Sequence, residues 1–235
     1  MAAVEDAMWF YRALHAHVQR ELTNALGNRA AEILDAGCGT GGLIRRTSTE
    51  RPAWRWTGVD VSPLACELAR ARTTAEIREA SVTALPFPDA SFDAVVSADV
   101  LYHVDDDAAA LREFARVLGP GGCVVINVPA HKWLWSYHDV ATHSKRRYAR
   151  PEVTAKLAAA GFADPRVTHW NAALLPLVVM RRKLFPAPRS GSDVHLYSRP
   201  VEKAFGAVMA LERAWLSTGW GLPLGSSILA TATKR

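Results

Sequence analysis

The sequence predicts an α/β fold: a Rossmann-like, mostly parallel seven-stranded sheet with helices on both faces and a helical insertion before the last strand. Apolar, β-branched runs bounded by turn residues alternate with stretches of helical spacing, which is typical of a parallel sheet wrapped by helices. A glycine-rich turn follows the first of these runs. The 235 residues, 49% hydrophobic and 22% charged, have the composition of a globular protein.

Six strands can be placed by their apolar runs, at 31–36, 56–61, 92–98, 123–128, 166–170 and 227–233. Helical spacing predicts helices over 5–26, 42–49, 63–73, 106–118, 152–160 and 201–215. Ser62 precedes a proline and can cap the helix that follows it, and the Gly-Pro-Gly-Gly run at 119–122 ends another helix. In the last helix, apolar positions 201, 204, 205, 208, 211 and 215 fit one packed face.

We expect a single domain over 1–235, with an N-terminal helix at 5–26, a core at 31–130, a loop at 129–150 and the insertion at about 171–222. The first ten residues are acidic and lack a long apolar core, so we expect no export signal and a cytoplasmic location. The apolar run 172–180 is far shorter than the ~20 residues that span a bilayer. Cys38, Cys66 and Cys123 have no zinc-binding spacing, so we expect buried thiols and no metal.

The net charge of +5 is unevenly distributed along the chain. Residues 1–130 hold 12 basic and 17 acidic side chains, whereas residues 131–200 hold 12 basic and 4 acidic ones. This asymmetry indicates an anionic partner for the second region, although a solvated basic face is the commoner origin of such a surplus.

The glycine-rich turn is the strongest functional signal in the chain. Gly37, Gly39 and Gly42 satisfy the GxGxxG spacing, so a dinucleotide such as NAD has to be considered. However, the carboxylate of Asp35, two residues before the first glycine, would repel a pyrophosphate and attract a cation. Asp60 ends the second strand, where a carboxylate can accept the hydrogens of both ribose hydroxyls. Asp60 could instead cap a helix, but Ser62 can supply that cap.

Several motifs in order resemble the class I S-adenosylmethionine (SAM)-dependent methyltransferases of the type 11 group. They are ILDAGCGTG at 33–41, Asp60, ALPFPDASFD at 84–93 and LGPGG at 118–122. The resemblance implies SAM as cofactor. Ser81 stands where that family often has an acid for the adenine amino group, and Ala98 and Asp99 fall where it lines the methionine portion. The cofactor-binding residues expected on both grounds are Asp35, Gly37, Cys38, Gly39, Gly41, Asp60, Val61, Ser81, Val82, Ala98 and Asp99.

A second resemblance, to a subgroup of bacterial methyltransferases, is carried by WFYR at 9–12, VPAHKWLWSYHD at 128–139 and RRY at 146–148. Ligands of open α/β sheets bind beyond the carboxyl ends of the strands, so the loops that follow 98 and 128 should border the molecule that accepts the methyl group. We therefore expect residues 31–130 to be a cofactor-binding core and residues 129–150 to be an acceptor loop. The expected substrate-binding residues are Trp9, Tyr11, Arg12, Tyr102, His131, Trp135, Arg146 and Arg147.

Methyl transfer to a hydroxyl requires a base, as does proton loss after the methylation of an alkene, and histidine titrates in the right range. The cluster of His138, Asp139 and His143 is the best local candidate, with His103 and Tyr148 as further candidates. For each single histidine, an ordinary structural role is the simpler interpretation. The spacing within the cluster matches no standard metal site.

Basic groups beside apolar stretches suit an amphipathic anion, so the acceptor hypothesis is a prenyl phosphate, a lipid-like molecule or a specialised metabolite. Lys145, Arg150, Arg181, Arg182 and Lys183 add to this basic set, which would also allow peripheral contact with a membrane. Methylation of a sugar or glycan precursor is the alternative within the same class. Two alternatives outside the methyltransferases are an NAD-dependent oxidoreductase and a non-catalytic SAM-binding protein. No appended RNA-binding module or Asn-Pro-Pro-Tyr-type motif indicates a nucleic-acid substrate, and the sequence leaves the oligomeric state open.

Overall fold

The computed structural model describes residues 2–186 and 191–235, with side chains from residue 4 onward. Its seven strands are β1 (Ala31–Ala36), β2 (Trp54–Asp60), β3 (Glu76–Glu79), β4 (Phe92–Ala98), β5 (Leu118–Pro129), β6 (Phe162–Trp170) and β7 (Ser227–Lys234). They form one sheet in the order β3-β2-β1-β4-β5-β7-β6. β1 to β5 pair in parallel, and β7 runs antiparallel to both of its neighbours. This topology confirms the predicted fold class.

The α-helices are α1 (Ala2–Ala7), α2 (Trp9–Leu26), α3 (Gly42–Glu50), α4 (Pro63–Arg72), α5 (Asp107–Val117), α6 (Tyr137–Ala141), α7 (Arg150–Ala159), α8 (Leu175–Val179) and α9 (Arg199–Ser217). Short 3₁₀ turns lie at Leu101–His103 and Lys132–Leu134, and α8 continues as one π-helical turn at Met180–Leu184. Four residues of the predicted insertion, 187–190, lie outside the described residues.

The sheet is covered on both faces, which explains its near-continuous apolar strands. Ile33 and Val96 pack on one face in a cluster with α2, α3 and α9, whereas Leu34 and Val95 pack on the other with α5 and α7. All four side chains are fully buried. The three cysteines are buried free thiols, as predicted.

Element boundaries differ from the predictions where the local signal was weak. The predicted N-terminal helix breaks at Met8, whose extended backbone (φ −67°, ψ 132°) separates α1 from α2. The 119–122 run does not merely end a helix: α5 stops at Val117 and β5 already begins at Leu118, with the glycines inside the strand. β3 is absent from the predicted strands, because four residues with one buried side chain, Ile77, carry no clear periodicity.

The apolar stripe predicted for α9 is only partly packed: Phe205 and Val208 lie against the core, whereas Ala204, Leu211 and Trp215 are exposed. The most buried positions of the helix are Met209, Glu212 and Leu216. Glu212 was missed as a buried residue because a carboxylate rarely faces a core unless it is paired.

Two glutamates of α9 accept backbone hydrogen bonds from other segments. Glu212 accepts from Asn171, and its second oxygen accepts from Ala172 (2.8 Å) and Ala173 (3.0 Å). Glu202 accepts from Trp9 N (2.6 Å), the first residue of α2, and from Tyr197 N (2.9 Å). A helix N-terminus leaves its first N–H groups unpaired, so Glu202 satisfies a donor that α2 cannot satisfy itself. Within the described ranges, no helix is both long and apolar enough to cross a membrane.

Gly225 supplies a test of the packing between the chain segment before β7 and the end of β6. A Cβ at this position would lie 2.3 Å from the carbonyl oxygen of Trp170, so Gly225→Ala should destabilise the fold by about 1–3 kcal/mol. Gly206, inside α9, has open space around the same position, and Gly206→Ala should stabilise by up to about 1 kcal/mol. Chemical denaturation of both variants measures the two changes. Equal stability of the two variants would contradict the packing described.

Candidate active site

The loop between β1 and α3 forms the floor of a cavity of about 950 Å³. Gly37 and Cys38 both donate backbone hydrogen bonds to the carbonyl of Val59 (2.8 Å), which fastens the turn to β2. Gly37 has a φ of +95°, and a Cβ there would lie 2.2 Å from the Val100 side chain. Only glycine meets both conditions.

Asp60 lies at the end of β2 and lines this cavity. Its two carboxylate oxygens accept the N–H groups of Gly39 and Ser62, each at 2.9 Å. Ser62 caps α4 through a bond from Ala65 N (3.3 Å), as the sequence predicted. Each oxygen of Asp60 therefore keeps a lone pair for further donors such as ligand hydroxyls.

Glu5, which sequence reasoning missed, occupies the N-terminus of α3. Its carboxylate accepts from Gly42 N (3.1 Å) and from the Thr40 hydroxyl, and Arg72 lies 3.5 Å away. The N–H groups at this helix start are the ones that would bind a ligand diphosphate. Because Glu5 already accepts one of them, from Gly42, an anionic ligand at this helix start would meet its negative charge. No local motif signals this contact, since Glu5 lies far from the turn in sequence.

The cavity is strongly acidic. Its lining includes five carboxylates, at Glu5, Asp60, Asp99, Asp105 and Asp106. The single lysine in the lining, Lys145, is paired with Asp105 at 2.6 Å. Such a lining favours a cationic ligand and disfavours a diphosphate.

Asp35 lies behind the turn and does not itself line the cavity. Burial, together with the charges of Glu5 and Asp60, raises its pKa to about 8. A cation bound above the turn would oppose this shift, because it stabilises the ionised carboxylate.

Asp99 follows β4 with a φ of +60° and lines the cavity. Its Oδ1 accepts from Asn127 Nδ2 (2.8 Å), and Asn127 Oδ1 accepts from the Trp170 indole (2.7 Å). Burial raises the pKa of Asp99 to about 7, although the Asn127 bond opposes the shift. A buried chain of side chains thus fixes this carboxyl group at the end of the sheet.

Nine of the eleven residues predicted to hold the cofactor line this cavity. They are Gly37, Cys38, Gly39, Asp60, Val61, Ser81, Val82, Ala98 and Asp99. Asp35 and Gly41 lie behind them. The Ser81 hydroxyl bonds to Thr83 N (3.2 Å) and Thr83 Oγ1 (2.8 Å), and among the described residues none accepts the Val82 N–H.

A second cavity of about 650 Å³ adjoins the first. Four residues line both: Tyr11, Asp99, Tyr102 and His103. The second cavity has a largely apolar wall of Met8, Trp9, Phe10, Leu174, Leu177, Val178, Val194 and Phe205. Its polar side holds His138, Asp139, Arg147, Arg181, Arg182 and Asp193.

Half of the eight residues predicted to bind the acceptor line this second cavity. Trp9, Tyr11, Tyr102 and Arg147 line it, whereas Arg12, His131, Trp135 and Arg146 do not. The ring of His131 stacks on His169, with the centroids 4.7 Å apart. Arg146 is engaged by Asp105 O (2.8 Å) and Asp107 (3.3 Å).

Asp139 and Arg147 form a buried, bidentate ion pair, with Nε to Oδ1 at 2.6 Å and Nη2 to Oδ2 at 3.2 Å. Asp139 also accepts from Ser136 N (2.9 Å) at the start of α6, and Arg147 donates to Ala130 O (2.8 Å). Both side chains are at most 3% exposed. The pair therefore fastens the acceptor loop, and neither group is free to act as a base or as an anion receptor.

His138 lines the second cavity in a neutral form. Burial and the charge of Arg182 lower its pKa to about 4. Because its Nδ1 accepts the backbone N–H of Asp193 (3.2 Å), the proton lies on Nε2. This tautomer donates a hydrogen bond and cannot take up a proton at Nε2.

His103 has the opposite tautomer. Its Nδ1 lies 3.3 Å from the carbonyl oxygen of His143, which can only accept, so the lone pair is on Nε2. Partial burial lowers its pKa, which keeps the ring neutral at pH 7. His143 and Tyr148 line neither cavity: His143 is exposed, and the buried Tyr148 hydroxyl donates to Asp107 (2.8 Å).

Arg181 and Arg182 bring positive charge to the second cavity. Arg182 pairs with Asp193 (2.7 Å), which also accepts from the Tyr137 hydroxyl (2.5 Å). Arg181 lies over the Tyr137 ring at 5.1 Å, and among the described residues no carboxylate lies within ion-pair distance of it. Across the same residues, no three His, Cys, Asp or Glu side chains are grouped as metal ligands would be.

Comparison with known proteins gives consistent similarities. Residues 34–126 match the family described as "Methyltransferase domain". A Mycolicibacterium smegmatis protein named a probable S-adenosylmethionine-dependent methyltransferase is 33% identical over 162 residues, which are 67% of this chain and 60% of that protein. The demethylmenaquinone methyltransferase of Tropheryma whipplei is 38% identical over 118 residues, 47% of each chain. This chain thus spans less than two thirds of either relative.

The fold has close structural neighbours as well. One chain of the complex between the Haloferax volcanii Trm112 methyltransferase activator and a putative methyltransferase superposes on this structure with a TM-score of 0.64. The match covers all of this chain and 93% of that one, at 21% sequence identity. At this identity the likeness shows the fold alone.

The structural role of the Asp139–Arg147 pair can be tested by stability. Asp139→Asn leaves a buried guanidinium without its carboxylate and should cost about 3–5 kcal/mol, whereas Asp139→Leu/Arg147→Met should cost less than either single loss of charge. Glu76→Gln, which breaks the exposed pair with Arg78 (2.6 Å), is the control and should cost at most about 1 kcal/mol. Urea denaturation distinguishes these cases. If Asp139→Asn behaved like the control, the pair would not be holding the loop.

Proposed function

Because residues 34–126 form a class I, S-adenosylmethionine-dependent methyltransferase domain of the type 11 group, we propose that the protein transfers the methyl group of SAM to a small amphipathic acceptor. The observation that carries this proposal is the junction of two cavities, one acidic and one largely apolar, at Tyr11, Asp99, Tyr102 and His103. Donor and acceptor held on the two sides of this junction would meet there.

The acidic cavity fits the cofactor. SAM, when bound, supplies a methyl group on a positively charged sulfur, beside a cationic amino group and a ribose. Asp60 would accept the ribose hydroxyls, and the Val82 N–H would meet the adenine ring, with the Ser81 hydroxyl beside it. Glu5, Asp35 and Asp99 would provide negative charge toward the methionine end. NAD would bring a diphosphate to the turn where Glu5 already binds.

The second cavity suits an acceptor with an apolar body and a polar or anionic end. Its apolar wall would bury the body, and Arg181 is the cation with free donors at the opposite side. Prenyl phosphates, lipid-like molecules and specialised metabolites have this character. A sugar or glycan precursor would leave the apolar wall without a partner, so it is the weaker alternative. The similarity to a demethylmenaquinone methyltransferase supports a small-molecule acceptor.

His103 is the base that the geometry favours. His103 lines both cavities and its Nε2 carries the free lone pair, whereas the tautomer of His138 and the ion pair of Asp139 disqualify those two residues. Burial raises the pKa of both Tyr11 and Tyr102, so their hydroxyls stay protonated and would donate hydrogen bonds to a bound acceptor. Methyl transfer also requires the acceptor atom to lie in line with the methyl carbon and the sulfur of SAM, and these hydrogen bonds can hold it there.

Cofactor identity is tested by calorimetric titration with SAM and, separately, with NAD. We expect SAM to bind and NAD not to bind, and Asp60→Asn to weaken SAM binding by about tenfold to a hundredfold through lost charge-assisted bonds. Asp60→Glu, which keeps the charge, should weaken it less. Binding of SAM at unchanged affinity by Asp60→Asn, or tight binding of NAD, would contradict the assignment.

The raised pKa of Asp35 makes SAM binding depend on pH. Binding of a cation favours the ionised carboxylate, so a proton must be released below the pKa of about 8. Affinity should therefore rise with pH, by at most about tenfold per pH unit from this group, and level off above about pH 8. Asp99 contributes in the same direction. Asp35→Asn should lower both the affinity and the slope, leaving the share due to Asp99. A variant with the full wild-type slope would show that Asp35 does not titrate with binding.

Turnover is tested by screening prenyl phosphates, lipid-like phenols and sugar precursors with methyl-labelled SAM and identifying the labelled compound. With that acceptor, provided that its reaction requires proton removal, His103→Ala should lower kcat by about 10²- to 10⁴-fold and leave the Kd for SAM unchanged. His143→Ala is the matched control and should retain activity. Equal losses in the two variants would exclude His103 as the base. If SAM binds but no compound is labelled, the non-catalytic alternative gains support.

A further inference from the structure

An exposed apolar surface lies beside the second cavity. It consists of Trp135, Leu177, Met180, Leu184 and Phe185, and is called the α8 patch below. Leu184 is 76% exposed and Phe185 is 54% exposed. Four of the five residues come from the stretch 177–185, and the fifth is joined to it because Lys183 Nζ donates to the carbonyl oxygen of Trp135 (2.9 Å).

The α8 patch is continuous with the wall of the second cavity. Leu177 belongs to both, since it lines the cavity and is 44% exposed. Val178 and Arg181, from the same helical stretch, also line the cavity. Leu177 therefore joins the exposed patch to the apolar wall of the cavity.

Positive charge accompanies these apolar side chains. The segment 175–185 contains Arg181, Arg182 and Lys183 and no acidic residue. Arg182 is paired with Asp193, but among the described residues Arg181 and Lys183 have no carboxylate partner. Lys183 donates one of its three N–H groups to the carbonyl oxygen of Trp135, and the other two remain available to a ligand.

This combination matches one kind of partner. A short helical stretch with bulky apolar side chains at its tip, an adjacent tryptophan and unpaired cations is what inserts into the headgroup region of an anionic bilayer. We propose that the α8 patch docks the protein on anionic phospholipid membranes, with the wall of the second cavity beside the bilayer. The surface is interfacial, so it requires no spanning segment.

The test is co-sedimentation of the full chain with vesicles. We expect binding to vesicles of phosphatidylglycerol and phosphatidylcholine in equal amounts, little binding to pure phosphatidylcholine, and weaker binding at high salt. Leu184→Ser/Phe185→Ser should lower partitioning by about tenfold or more, because the two side chains that insert are removed. Lys183→Gln should lower it by about fivefold.

Leu64→Ser/Leu68→Ser, on α4, is the matched control, because it removes two exposed apolar side chains remote from Lys183 and Arg181 in sequence. It should bind vesicles like the wild type. Titration with SAM in the absence of vesicles should give the same Kd for all these variants, which separates failure of docking from failure of the methyltransferase assignment.

Three results would overturn the proposal. The first is wild-type protein that ignores anionic vesicles, and the second is an equal loss of binding in the α4 control. The third is a dimer in sedimentation equilibrium that Leu184→Ser/Phe185→Ser dissolves without changing vesicle binding, since the α8 patch would then join two copies of this chain.

Discussion

Neighbouring parallel strands end at one edge of the sheet, and this constraint decides which side chains can act together. Asp60 ends β2, Asp99 follows β4, and Asn127 lies near the end of β5. Residues far apart in sequence thus meet along one line. The Asn127 bond to Asp99 depends on the pairing of β4 with β5, in which Ala98 lies opposite Asn127. A slip of one residue would turn Asn127 to the other face of the sheet and leave Asp99 without its donor.

The cofactor side could largely be predicted from the sequence because its signals are local. A glycine turn, an acid at a strand end and a cap residue each follow from a few consecutive residues, and the structure brings Gly37, Gly39 and Asp60 to one cavity. Glu5 could not be predicted, because its role depends on how α1 folds back over α3. Its carboxylate adds negative charge to the turn beside Asp35, which further disfavours a diphosphate there.

The loops that border the acceptor could be located from the sequence, but the roles of their individual residues could not be assigned from it. Loop side chains of the right chemistry were present in excess, and long-range packing decided which remained free. Asp139 and Arg147 neutralise each other, and Tyr148 bonds to Asp107, whereas His103 keeps an open nitrogen. Sequence patterns do not reveal such pairings, because the partners are brought together by the fold and not by spacing.

The carboxylates of α9 bear on how this architecture can change over time or by design. Glu202 serves the first amide of α2, and Glu212 serves three consecutive amides at 171–173. The helix thus holds two other parts of the chain by hydrogen bonds, and exchanging it for an unrelated segment would leave four main-chain donors without these acceptors. A chimera that carries a different insertion must therefore also supply acceptors for those amides. The insertion cannot be exchanged independently of the segments that it holds in place.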